Sequence, residues 1–325
     1  MSVRYGIDPV DLSGMKSISL GERGGKVKVC NFASVYSRGS GMAAFLESLP
    51  HILAADTMRD VASAMFNARA NGKPIIWAMG GHVIKCGLAP VLIDLMRRGY
   101  ATAFAMNGSA SIHDFEIAIA GHTSEDVEAS LPDGRFGTAA ETGREWNAAM
   151  AAATVGNIGA GESLGHALDR RHEPEDHASA SLLLQAWLAR VPVTVHIAVG
   201  TDTPHTHPAV DPAALGSATH RDFRLFCRLV AALDGGGVYI NAGSAVVMPE
   251  VFLKAVSCVR NLGHQLHDFT TVNLDFQQHY RPRVNVVERP HAQTGGKPGG
   301  NGYALTGHHE IMIPLLAAAL IEKAP

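Results

Sequence analysis

Short apolar runs alternate with longer amphipathic ones along most of this chain, and that alternation restricts its fold more than any other feature. The runs IIWAM (75–79), ATAFAM (101–106), VPVTVHIAV (191–199), GVYIN (237–241) and HDFTTVNL (267–274) have the length and composition of buried strands. Stretches at 42–71, 88–99, 110–120, 221–233, 249–263 and 309–323 repeat apolar residues at three- and four-residue steps and are expected to be helices. Buried strands separated by such helices predict an α/β fold, a Rossmann-like parallel sheet with helices on both faces. The Gly- and Ser-rich first 41 residues read as an arm, and 42–325 as one domain, because no Pro-, Gly- or Ser-rich linker divides them. Residues 121–180 are polar and Gly-rich and read as an insertion of helices and loops; TGGKPGGNG (294–302) reads as a flexible loop.

Composition removes several classes of function. A formal charge of -3, with basic residues single or in pairs, gives no footprint for nucleic acid or an anionic membrane. No apolar run approaches the roughly 18–20 residues that span a bilayer. The four cysteines form no CxxC pair and read as reduced thiols. With no signal-like N-terminal pattern, the expectation is a soluble, cytoplasmic protein.

In open parallel sheets, ligands bind beyond the carboxyl ends of the strands. That rule selects the loops 80–87, 107–114, 200–208, 241–250 and 273–283. They are polar and glycine-bearing, which suits close approach of backbone to a phosphate. Neither GxGxxG nor a Walker GxxxxGK[ST] occurs at a strand–helix junction, so any nucleotide is held by another arrangement. His113 and Asp114 lie just beyond the Asn107 loop: the carboxylate is a candidate to bind a substrate amine, the imidazole to move a proton. Lys85 is a candidate charge partner or nucleophilic amine. Glu116, Glu125 and Asp126 are expected on solvated faces, and His196 in the core. Among the 17 histidines, His205 and His207 make the tightest cluster, with Asp202 and Asp211 nearby, and open a metal-dependent lyase or hydrolase as an alternative.

The order of a strand, Gly80-Gly81, a helix ending Arg97-Arg98-Gly99, a strand, Asn107-Gly108-Ser109-Ala110 and then His113-Asp114 resembles the central part of deoxyhypusine synthase and its relatives. VPVTVHIAVGTD ending in Thr201-Asp202, LDGGGVYIN with Gly235, Gly236 and Gly237, and the closing GHHEIMIPLLAAAL fit the same order, over roughly residues 70–322. The resemblance implies the same fold, a homotetramer of tight dimers, NAD at the subunit interface, and oxidation of a polyamine followed by aminobutyl transfer to a protein lysine. It also implies an enzyme lysine just after the triple glycine. Tyr239-Ile240-Asn241 stands there instead, which argues against deoxyhypusine synthesis itself. AMNGSASIHDFEIAIAGHTSED also resembles NAD-dependent ornithine cyclodeaminase-like LOR/SDH proteins, implying that Asn107, His113 and Asp114 line the crevice.

The expectation is therefore an NAD-binding transferase, oxidoreductase or lyase for a small amine or amino acid, and a homo-oligomer. His113, Asp114 and Lys85 are its catalytic candidates; Asn107, Gly108, Ser109, Thr201, Asp202, Gly243 and Ser244 are its cofactor contacts. A non-catalytic nucleotide-binding protein is the remaining alternative.

Overall fold

The computed structural model describes residues 4–171, 177–292 and 300–323. Six strands form one sheet: β1 Ile75–Met79, β2 Ala103–Asn107, β3 Val193–His196, β4 Gly237–Ala242, β5 Phe269–Asp275 and β6 Asn301–Thr306. Every pairing is parallel and the order is β3-β2-β1-β4-β5-β6. This is a Rossmann-like α/β fold, and its strand order reverses between β1 and β4.

The helices are α1 Gly41–Ser48, α2 Leu53–Ala70, α3 Gly81–Lys85, α4 Ala89–Arg97, α5 Gly108–Ala120, α6 Val127–Ser130, α7 Ala140–Gly156, α8 Ala160–Asp169, α9 Leu182–Leu188, α10 Pro212–Ala231, α11 Val247–Asn261, the single turn α12 Tyr280–Pro282, and α13 His309–Lys323. Side chains alternate across each strand, so the sheet carries two apolar layers. Ile75, Trp77 and Met79 join Phe104, Met106, Val195 and Ile240 against α2, α4, α5, α7, α8, α9 and α13. Ile76, Ala78, Ala105 and Tyr239 face the other way, against Phe226 and Val230 of α10 and Phe252 and Val256 of α11. His196 is buried in its strand, as its position suggests.

Several boundaries differ from the sequence expectation, each for a local reason. The single helix expected over 42–71 is two, because Leu49 precedes Pro50 and is extended, with ψ 147°. α10 begins nine residues earlier than expected, where Asp211 caps it by accepting from the Ala213 and Ala214 amides and Pro212 occupies its first turn. The loop expected over 294–302 lies largely outside the described residues, but Asn301 and Gly302 open β6. This edge strand is mostly exposed or half-buried, so it lacks the continuous apolar signature of its neighbours. Residues 4–40 contain no strand or α-helix, and Tyr5, Val10, Leu20 and Val35 are exposed there. Among the described residues no helix is long and apolar enough to cross a membrane.

One carboxylate ties three elements on the β3 side. Asp222 of α10 accepts from the Gly161 amide of α8 at 2.9 Å and the Val195 amide of β3 at 2.7 Å. Its second oxygen is buried without a partner. Burial pushes this carboxyl up to about 7 against the pull of the backbone hydrogen bonds. Asp222→Ala leaves two buried donors unpaired, at about 1–3 kcal/mol each, and is expected to lower the urea midpoint markedly. Because the folded pKa lies above the unfolded one, the fold favours the protonated carboxyl, and stability is lost as pH rises through about 7. Asp222→Asn is therefore expected to gain stability relative to the parent between pH 5 and pH 7.5 in parallel thermal melts.

Candidate active site

The loops at the carboxyl ends of the strands form two polar clusters on either side of α3. The floor between them is the junction of β1 and β4. The Gly80 amide donates to the Ala242 carbonyl at 3.1 Å, and the Gly243 amide to the Leu274 carbonyl at 3.2 Å. A Cβ on Gly80 would lie 2.2 Å from the Gly243 oxygen, so only glycine lets these loops meet. Gly243 itself has φ +64°, in the left-handed region. Ser244 is buried and its Oγ accepts from the Met248 amide at 3.1 Å. Asn241 donates to the Ser244 carbonyl at 3.0 Å and to Asn273 Oδ1 at 2.8 Å, which fixes the end of β4 against β5.

On the β2–β3 side lies a cleft of about 200 Å³ whose lining includes Lys85, Ser109, His113, Glu116, Asp202 and Phe136. The structure thus brings together Lys85, Ser109, His113, Thr201 and Asp202 from three separate loops. Glycine again permits the approach: a Cβ on Gly81 would meet Ser109 Oγ at 2.3 Å, and one on Gly108 would meet Asp202 Oδ2 at 2.0 Å. Asn107 does not reach into the cleft, because its Oδ1 caps α5 by accepting from the Ala110 amide at 2.9 Å. Thr201 lines the cleft with its hydroxyl turned to the Ala198 carbonyl at 2.7 Å.

A hydrogen-bond relay fixes His113. Thr123 Oγ1 donates its only proton to Glu116 Oε2, so it can only accept from His113 Nδ1, 2.7 Å away. His113 therefore carries its proton on Nδ1, and Nε2 is left as a bare base. Thr142 Oγ1 donates to the other Glu116 oxygen at 3.0 Å. Burial raises the Glu116 carboxyl, but the hydrogen bonds from His113, Thr123 and Thr142 outweigh it and hold the group below its ordinary value. Asp202 goes the other way: burial pushes it up, against the nearby His205, the Thr201 hydroxyl and His113.

Asp114 corrects the sequence expectation. It is fully buried, with its carboxylate accepting from Ser181 Oγ at 2.7 Å and from the Leu182 and Leu183 amides at 2.7 and 2.8 Å. Consecutive helical residues point about 100° apart, so when His113 faces the cleft Asp114 faces α9 and caps it. Burial still raises it to about 6. Glu116 corrects it in the opposite sense, since it lines the cleft and completes the relay. Its i,i+3 spacing from His113 was the available signal; Thr123 and Thr142 carried none.

The histidine-rich loop serves itself. His205 Nδ1 accepts from the Gly200 amide and His207 Nδ1 from the Ala209 amide, both at 3.1 Å. Among the described residues no group of three or more His, Cys, Asp or Glu side chains is arranged to hold a metal ion. A larger cavity, about 590 Å³, opens at the amino end of β3 beside Leu183, Trp187 and Val193. It lies away from the strand ends where such sheets bind ligands.

No protein-family model matches the chain, and no curated protein does. Solved structures do. A conserved protein of Methanococcus maripaludis S2 assigned to LOR/SDH is 14% identical over 83% of this chain and 70% of its own, with a TM-score of 0.50. AgrE, solved with ornithine and NAD+, is 13% identical over 82% of this chain, with a TM-score of 0.47; this chain spans 32% of its length. A protein from Entamoeba histolytica assigned as a deoxyhypusine synthase is 9% identical over 90% of this chain and 96% of its own, with a TM-score of 0.49. At these identities the likeness is one of fold.

The two neighbours in α5 are expected to separate experimentally. Asp114→Ala removes an acceptor from three buried donors and is expected to lower the melting temperature by several degrees. His113→Asn, at the cleft wall, is expected to melt close to the parent.

Proposed function

We propose that the chain is an NAD-binding enzyme acting on a small amino acid or amine in the cleft beside α5. The observation that carries this reading is the relay from Glu116 through Thr123 to His113, which leaves a bare imidazole nitrogen beside Lys85 and Asp202. One lysine opposite a buried carboxylate suits a zwitterion: Lys85 meets the substrate carboxylate and Asp202 the ammonium. Asp202 thus takes the role that the sequence suggested for Asp114.

A dinucleotide fits the junction rather than the cleft. Gly80, Gly81 and Gly243 keep that crevice mouth free of side chains at the point where the strand order reverses. In the cleft, by contrast, the N-terminus of α5 already carries Asp202, which opposes a phosphate. Gly80, Gly81, Gly243 and Ser244 would hold the dinucleotide, which supplies a hydride acceptor when bound. His113 Nε2 takes the proton released as the amine nitrogen loses one, and Glu116, through Thr123, stabilises the imidazolium. Phe136 covers the opening and limits water.

Calorimetric titration of the purified chain with NAD and NADH tests the cofactor, and no heat of binding at millimolar concentration would sink it. Lys85→Ala is expected to weaken a small amino acid roughly tenfold or more, yet leave the corresponding amine, which lacks the carboxylate, nearly unaffected. Because Asp202 titrates above the ordinary carboxylate range, amine affinity is expected to fall on acidification from pH 7 to pH 5, and Asp202→Asn to remove that dependence.

A further inference from the structure

On the other side of α3 from the cleft, His82 and His309 meet with their Nδ1 atoms 3.0 Å apart. His309 is fully buried, and its Nε2 lies 3.2 Å from the Leu274 carbonyl oxygen at the end of β5. A carbonyl oxygen only accepts, so His309 carries a proton on Nε2. Burial pushes His309 below its ordinary value, with Asp275 and the Leu274 carbonyl pulling upward, so at neutral pH it holds that one proton and its Nδ1 is a lone pair. Two bare nitrogens at this distance would repel. His82 must therefore donate its Nδ1 proton to His309, which leaves His82 Nε2 unprotonated. The ring is exposed at the mouth of the junction between β1 and β4, with Phe276 beside it at 5.8 Å between centroids.

We propose that His82 is a second general base, held ready at the junction crevice, with His309 as its positioning residue. Its ligand presents an N–H or O–H group while lying against Phe276. In the transfer, that N–H or O–H bond breaks, its electron pair stays on the ligand, and the proton bonds to His82 Nε2. The positive charge on His82 is then shared through Nδ1–H and His309 to the Leu274 carbonyl, a backing that an isolated surface histidine lacks. Cys86 is a bystander to this step. Its Sγ lies 3.6 Å from His82 Nε2, but burial and Glu310 push the thiol up, and it donates toward Glu310 Oε2 at 3.8 Å. This inference does not rest on the identity of the nucleotide or on the cleft chemistry.

Nuclear magnetic resonance of the full chain labelled with 15N-histidine reads the tautomers directly, with His82→Gln and His309→Gln assigning the two rings. At pH 8 the expected pattern is Nδ1–H for His82, the minor form of free histidine, and Nε2–H for His309. Carbethoxylation by diethyl pyrocarbonate, followed peptide by peptide, is expected to run roughly threefold faster at His82 in the parent than in His309→Gln. The exposed His264 serves as the unchanged reference. An Nε2–H tautomer on His82 in the parent protein, or equal His82 rates with and without His309, overturns the proposal. Should His309→Gln fail to fold, the parent's tautomer decides alone.

Discussion

Everything chemical in this molecule hangs on how closely two strand ends approach each other. Gly80 and Gly243 touch where β1 and β4 separate, with no room for a single carbon atom at Gly80. That contact lets the loops after the two central strands close over one point, and the polar side chains on either side inherit their positions from it. The sheet beneath supplies rigidity: β1 and β4 are buried along their whole length and flanked by helices on both faces. A side chain at either glycine would part the loops before it disturbed the core.

Buried carboxylates do the comparable work away from the centre. Asp114 and Asp222 are buried without a cation, each accepting from backbone amides at the start of a helix. Both are pushed up by burial, so both sit closer to neutrality than a surface carboxylate. Neither is placed to meet a ligand in the cleft. They show why a perturbed carboxylate in a Rossmann-like sheet marks architecture as readily as catalysis. Asp202, at the start of α5, is perturbed in the same direction but lines an opening.

The fold was legible because two-faced burial leaves a strong mark on sequence. IIWAM and GVYIN have no polar face to interrupt them, and five of the six strands are found that way. β6 escaped because it lies at an edge, with Asn301, Ala304 and Thr306 exposed. The site was legible at the level of loops, and Lys85, Ser109, His113, Thr201 and Asp202 do converge. What failed was orientation. Adjacent letters such as His113 and Asp114 look like a pair in sequence, yet helical twist sends them to different neighbours. Glu116 looked like surface because nothing local announces Thr123 and Thr142, which arrive from the loop after α5 and from α7.

The five-residue helix α3 has a consequence of its own. Lys85 lines the cleft, while Cys86, one peptide bond later, packs against His82 and Glu310. The segment is bounded by Gly80 on one side and by Gly87, with φ +73°, on the other. It is a short rigid bar on two swivels, with one chemical cluster bolted to each flank. A force that rocks it toward one flank must draw it from the other, so occupancy on the two sides is mechanically wired together, and each would be heard in the other's affinity.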